Sequence, residues 1–216
     1  MKFLSISFLF SILIAMTCNG KGQFGFGGTI GFEKIIGWNM ENANVSVWED
    51  DYFPMNRKIA AEFIYKLKWA QFESGLSYFN EHYQTSIYKG PRNYNRPVDF
   101  ESDNLGIPLK IKFRLNIPKK ENFFYFLTES EFVFSLYAKK IIYGTAGIDT
   151  QTMLSKSLDY QRATFRIGFG YCTKVYHSLF WSIAADISTD LYRQPILDQN
   201  VGFNKYGVNT GLSLFF

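Results

Sequence analysis

Apolar and polar residues alternate with a period of two along most of this chain. From Ala163 to Val175 the odd positions are Ala163, Phe165, Ile167, Phe169, Tyr171, Thr173 and Val175, and the even ones Thr164, Arg166, Gly168, Gly170, Cys172 and Lys174. Leu105, Ile107, Leu109, Ile111, Phe113 and Leu115 likewise oppose Gly106, Pro108, Lys110, Lys112 and Arg114. Successive strand side chains point to opposite faces, so this pattern predicts strands with one apolar and one polar face. The same split predicts strands over Phe24–Phe32, Ala61–Trp69, Phe124–Leu136, Leu179–Leu191 and Tyr206–Phe216. Phe72–Tyr83 completes a set of eight with the weakest alternation, and its register is expected to break near Asn80. Pro108 lacks a ladder donor and is expected to mark a bulge or bend.

The polar faces carry glycines, lysines, arginines and carboxylates, whereas the apolar faces carry Phe, Ile and Leu. Eight strands enclose a bore just wide enough for side chains. Glycines and paired charges fit that bore, and bulky apolar residues fit lipid. The predicted fold is therefore all-β, an eight-stranded antiparallel up-and-down transmembrane barrel. Gap lengths agree. The stretches Gly37–Lys58, Gln84–Asn104, Lys139–Arg162 and Arg193–Asn204 are long, and Ala70–Gln71, Asn116–Asn122 and Tyr176–Ser178 are short. Long loops alternating with tight turns are the outer-membrane arrangement, with both termini periplasmic. Trp69, Phe72, Phe124, Trp181 and Phe216 then form a periplasmic aromatic girdle, with Trp38, Phe165 and Tyr206 toward the outer rim.

The two ends of the chain fit this picture. The final segment, Asn209 to Phe216, is similar to the C-terminal recognition signal that barrel-insertion machinery reads, with Gly211, Leu214 and Phe216 at its defining positions. The first residues have a short basic start at Lys2, an apolar run from Phe3 to Met16 and a small polar exit, the pattern of a secretory signal peptide. Residues 1–22 are read as that signal and residues 23–216 as one barrel domain. Lipoprotein processing at Cys18 is a rival reading, disfavoured by Thr17 in front of it.

Composition narrows the function. Lys and Arg total 23 against 19 Asp and Glu, a net charge of +4. That excess is small and dispersed, and argues against a nucleic-acid partner. Aromatic residues reach 19% while mean hydropathy is only −0.10, as expected when apolar residues alternate with polar ones. Cys172 is the only cysteine outside the signal, so no disulfide or cysteine metal cluster is expected and no cofactor is assigned.

The candidate sites are of three kinds. Glu62, Lys110, Lys112, Arg114, Glu129, Glu131, Arg166, Lys174, Asp186 and Asp190 are expected to face the lumen. There they form either a neutralising ion-pair network or an ion path or catalytic cluster, and buried charges need partners in either case. His82 and His177 are the only histidines. His177-Ser178 offers a base beside a hydroxyl, but strand neighbours point to opposite faces, and no catalytic residue is assigned. In the loops, Trp48, Glu49, Asp50, Asp51 and Tyr52 form an acidic-aromatic group suited to a cation, a sugar or a protein. Tyr88 to Arg96 is basic and aromatic, suited to lipopolysaccharide phosphates.

Glu73-Ser74-Gly75-Leu76-Ser77-Tyr78, Leu105 to Phe113, Gly168-Phe169-Gly170-Tyr171 and the terminal strand together resemble the PorT-like outer-membrane barrel family of Bacteroidota. The resemblance spans nearly all of the chain beyond the signal, and departs from the family where Gly106 stands in place of a frequent acidic residue. It implies the barrel fold and a cell-envelope setting, and offers no catalytic residues. The expected function is non-enzymatic: surface loops presented for interaction, or for an envelope-assembly or secretion-related role. A lipid-modifying outer-membrane enzyme and a narrow channel are the alternatives. Expected partners are outer-membrane lipid and lipopolysaccharide, the insertion machinery and an envelope protein.

Overall fold

The computed structural model describes residues 22–40, 55–89, 94–115, 121–144, 147–153, 161–191, 194–196 and 199–216. Its strands are β1 (Gln23–Met40), β2 (Asn56–Lys66), β3 (Ala70–Lys89), β4 (Tyr94–Arg114), β5 (Phe123–Gly144), β6 (Gly147–Met153), β7 (Gln161–Tyr176), β8 (Leu179–Asp190), β9 (Gln194–Ile196) and β10 (Gln199–Phe215). Eight of these form the wall in the order β1-β2-β3-β4-β5-β7-β8-β10, and β1 pairs back onto β10. The closing seam runs from Gly25↔Phe215 to Met40↔Val201. Every pairing is antiparallel. The fold is thus the expected closed, eight-stranded antiparallel barrel.

The two short strands lie outside the wall sequence. β6 pairs with β5 at Lys139–Gly144, beyond the stretch that β7 covers, and β9 pairs with β10 beyond β8. Several gaps expected to be long loops are instead continuations of the ladder. The β3–β4 hairpin pairs as far as Lys89↔Tyr94, so most of Gln84–Asn104 and of the basic Tyr88–Arg96 segment is strand. Pro97 lies within that ladder opposite Ser86, just beyond the last β4–β5 pair, Val98↔Ile142. An edge position of this kind tolerates a missing donor. At the other end β2 stops at Lys66, and Trp69 sits in the turn, where Leu67 N–H donates to Ala70 O at 2.7 Å.

Face assignment follows the alternation. Phe26, Ile30, Ile59, Phe63, Phe132, Phe169, Ile187 and Leu212 are exposed on the outside, and Glu33, Lys58, Glu62, Glu129, Arg166 and Asp186 are buried inside. The expected register break near Asn80 is absent. Leu76, Tyr78 and Asn80 stay outward and Ser77, Phe79 and Glu81 inward, so polarity inverts there while register holds. The inward Phe79 ring lies under Lys58 at 5.8 Å and Arg162 at 5.4 Å. Pro108 makes no bulge either: its register opposite Glu131 is kept, and the β3 ladder resumes in the same register on both sides of it. The β4–β5 shift lies at Asp103/Asn104, where Leu136 is the extra residue.

Candidate functional site

Among the described residues the largest gathering of paired charges is in the lumen, and Glu129 on β5 is at its centre. Its carboxylate is 2% exposed. It meets Lys58 Nζ at 3.1 Å, Lys110 Nζ at 3.6 Å and Arg166 Nε at 3.9 Å. Each of those cations reaches a second carboxylate: Lys58 pairs with Glu131 at 2.6 Å, Lys110 with Glu62, and Arg166 with Glu33 at 2.5 Å and Asp186 at 3.6 Å. Hydroxyls and amides complete the shells. Thr29 donates to Glu62 at 2.9 Å, Ser77 to Glu131 at 2.5 Å, and Asn209 to Asp186. Gly106 makes the Ser77–Glu131 contact sterically accessible, since a Cβ there would lie 2.4 Å from both Glu131 Oε1 and Ser77 Oγ. Pairing is what makes such burial tolerable, because an isolated charge in this setting costs several kcal/mol (roughly 3–5 when one partner is removed).

Toward the loop end a second cluster forms on Glu81. It accepts from Arg162 at 2.5 Å and from Lys205, and Arg162 also reaches Asp190 at 3.6 Å. Thr164 donates to Asp190 at 2.9 Å, and Asn104 is held by Ser135 at 2.6 Å while donating to Ser102 at 3.0 Å.

Toward the turn end the filling changes. Phe123, Tyr125, Leu127, Phe180, Phe215, Ile64, Ala184 and Cys172 pack into one buried cluster. Phe180 and Phe215 meet edge to face at 5.4 Å. Tyr125 lies over Gly170, where a Cβ would come within 2.3 Å of its ring, and its hydroxyl donates to Ile183 O at 3.4 Å. Lys112 pairs with Glu73 at 2.6 Å and sits 5.2 Å from the Tyr125 ring. Lys66 stands 4.0 Å above Phe180 and 4.4 Å from Phe215, and Arg114 stands 3.9 Å above Phe123.

Of the ten lumen residues expected from sequence, Glu62, Lys110, Glu129, Glu131, Arg166 and Asp186 meet in the central network. Asp190 joins the loop-end cluster, and Lys112 and Arg114 line the turn end. Lys174 is drawn to the rim, where it pairs at 2.5 Å with the exposed Glu121. Sequence reasoning missed Glu33, Lys58, Glu73, Glu81, Arg162 and Lys205 as network members. Glu33, Lys58 and Arg162 lie one to three residues outside the predicted strand ends, so extending the period-two pattern would have found them. The inward aromatics Phe123, Phe180 and Phe215 each adjoin an outward residue of the same class or size, which hid them.

The remaining candidates are scattered. His82 Nε2 lies 3.5 Å from Asp99, and His177 occupies the β7–β8 turn with φ 37° beside the Tyr176 ring at 4.1 Å. Trp48, Glu49, Asp50, Asp51 and Tyr52 lie outside the described residues, as does most of the predicted signal segment. Gly211 pairs with Thr29 and Leu214 with Phe26 on the closing seam. Phe216 is 72% exposed, donates from its N–H to Phe24 O at 2.9 Å, and sets its ring 6.0 Å from Phe26. Among the described residues no three His, Cys, Asp or Glu side chains converge as a metal site.

No protein-family model matches the chain, and no curated protein does. Among solved structures, it is similar to Neisserial surface protein A at 10% identity and TM-score 0.47, over 89% of this chain and 97% of that one. It is also similar to the outer membrane protein OprG from Pseudomonas aeruginosa, at 10% identity and TM-score 0.47 over 92% and 97%. The attachment invasion locus protein Ail of Yersinia pestis, in complex with the heparin analogue sucrose octasulfate, gives 10% identity and TM-score 0.38 over 89% and 99%. The class of the barrel rests on its own strand pairing, and the PorT-like resemblance on the motifs quoted above.

Proposed function

We propose that the chain is an outer-membrane β-barrel protein of a Gram-negative envelope. Its role is non-enzymatic: it holds loop-end hairpins on a rigid, filled frame for an interaction or for an envelope-assembly or secretion-related task. The observation that carries this reading is the inverted polarity of the barrel. Exposed Phe, Ile and Leu cover the outside and paired charges fill the inside. In water each exposed apolar residue would forgo about 25 cal/mol per Å² of burial, which a bilayer returns. Closure leaves no unpaired wall edge, as a bilayer requires.

Both termini lie on the periplasmic side in this reading, with the short turns, and the loop-end hairpins face outward toward lipopolysaccharide. The insertion machinery reads Gly211, Leu214 and Phe216 during assembly. Membership of the PorT-like group, and a source in Bacteroidota, are part of the proposal and are supported by the strand motifs alone. A conducting pore is disfavoured by the packed lumen. Lipid-modifying catalysis is disfavoured by the placement of His177 and Ser178 in an exposed two-residue turn.

Fractionation tests the class. The protein is expected in the outer membrane, with faster gel migration before boiling than after, and a soluble periplasmic product would end the proposal. Crosslinking from Trp48 then tests for an envelope partner. Turnover of phospholipid or lipopolysaccharide by the purified barrel, lost in His177→Ala, would replace the non-enzymatic reading with the enzymatic one.

A further inference from the structure

We propose that the turn-end mouth of the barrel binds a phosphate-class dianion, held by Lys66 and Arg114 with Lys174 at its lip. Six lumen cations, Lys58, Lys110, Lys112, Arg162, Arg166 and Lys205, each meet a carboxylate within ion-pair distance. Lys66 and Arg114 depart from that rule. Among the described residues neither makes an ion pair, and what they face instead are the rings of Phe180, Phe215 and Phe123. Arg114 shows the deficit at the level of one atom. Its Nε is buried with no hydrogen-bond partner, and its NH1 reaches only Lys68 O, at 3.5 Å.

The cations are close enough to act together. Arg114 and Lys174 both lie within electrostatic reach of Lys66. Strand register explains why: Lys174 pairs across from Phe180, over which Lys66 stands, and Phe123, under Arg114, pairs across from Cys172. Like charges gathered over an apolar floor repel one another and are poorly screened, which favours an anion between them.

Glu73, the buried side-chain acid nearest this mouth, is taken up by Lys112. At the lip, Glu121 is 66% exposed and engaged by Lys174. With Lys174 engaged by Glu121, Lys66 and Arg114 remain as two positive charges without an ion-pair partner among the described residues. A phosphate monoester carries about −1.5 to −2 at pH 7 and three acceptor oxygens, matching both that charge and the Arg114 donors.

The chemistry fits a free phosphate ion or the phosphomonoester of a lipid headgroup. The folded full chain in detergent micelles is titrated calorimetrically with inorganic phosphate. The same chain in nanodiscs with and without phosphatidic acid is scored by its resistance to unfolding. Arg114→Gln and Lys66→Gln are each expected to weaken binding by roughly tenfold or more, the loss of a charge-assisted contact. Lys34→Gln, opposite Tyr206 and eleven residues up β1 from the Gln23↔Lys66 pair, should leave binding unchanged. Heat-dependent gel mobility reports folding, and Lys66→Gln decides the matter if Arg114→Gln does not fold. Arg114-dependent binding of inorganic phosphate assigns a free ion, and Arg114-dependent stabilisation by phosphatidic acid alone assigns a headgroup. Failure of the parent to respond to either, or equal weakening by Lys34→Gln, overturns the proposal.

Discussion

The middle of the lumen and its turn end solve the same packing problem by different chemistry. In the middle, Glu129 gathers Lys58, Lys110 and Arg166, and each cation is shared with a further carboxylate. At the turn end, Phe123, Tyr125, Phe180 and Phe215 fill the bore, and cations lie on their faces. The first region is held by directional pairing that fails as a unit when one member goes. The second is held by area and shape, and cation–π contacts there add about 0.5–2 kcal/mol each. An eight-stranded barrel can thus be rigid in one layer through charge and sealed in another through aromatic bulk.

The sharpest way to break the comparison is to remove the hub. Glu129→Ala leaves three buried cations short of a partner, and the expected loss is about 3–5 kcal/mol. Urea unfolding of the barrel in vesicles should report it. Glu129→Gln, which keeps the shape and removes the charge, should recover only part. A loss below about 1 kcal/mol, the scale of an exposed pair, would mean that water already screens the network.

Next in size is Tyr125→Ala. Large-to-small change of a buried aromatic costs about 3 kcal/mol or more through lost contact and the cavity left behind. Its second effect separates the two regions. Opening the aromatic layer should raise single-channel conductance in planar bilayers above that of the parent, whereas Glu129→Ala leaves that layer closed. Conductance raised by Glu129→Ala and left at the parent level by Tyr125→Ala would show that the charge network, not the aromatic layer, is the seal.

Gly170→Ala sharpens the same point with one methyl group. A Cβ at that position would lie 2.3 Å from the Tyr125 ring and 2.6 Å from Ile183 O. The ring is wedged among Phe123 and its neighbours and Ile183 O belongs to the wall, so neither yields cheaply. Overpacking of this kind costs about 1–3 kcal/mol, and the unfolding midpoint should fall accordingly. Gly106→Ala is milder by the same measurement, because its neighbours are the side-chain ends of Glu131 and Ser77.

How far each region was legible in the sequence follows from this chemistry. Charged residues on an otherwise glycine-rich face announce themselves, so Glu62, Lys110, Glu129, Arg166 and Asp186 could be placed inside from alternation alone. Aromatic residues do not, since Phe reads as lipid-facing wherever it stands. Phe123 and Phe124 are adjacent, as are Phe215 and Phe216; alternation put Phe124 and Phe216 outside, where they are exposed, but gave no sign that Phe123 and Phe215 fill the bore. Phe79 and Asn80 were misread for the same reason: an inward ring beside an outward amide looks like a slipped strand. The hairpin extensions past Gln84 were hidden by Pro91 and Pro97, which signal a loop, although Pro97 occupies an edge where its missing N–H costs nothing. The loop residues around Trp48 are where sequence raises the functional question and the described structure does not reach.

The smallest expected effect tests the boundary between the two regions and the water beyond them. Lys174 shares a polar strand face with Arg166, so alternation places the two together. Their surroundings differ, because the Lys174 side chain is 29% exposed and its partner Glu121 is 66% exposed. An ion pair in that setting contributes about 0–1 kcal/mol and weakens as salt is added. Lys174→Ala should therefore shift the unfolding free energy by less than about 1 kcal/mol. Lys112→Ala, which removes the partner of the buried Glu73 at the same end of the barrel, should cost several times more. If the two variants were equally damaging, the rim would have to be as dry as the interior, and the division of the lumen into a paired middle, an aromatic seal and a solvated lip would fail at its last step.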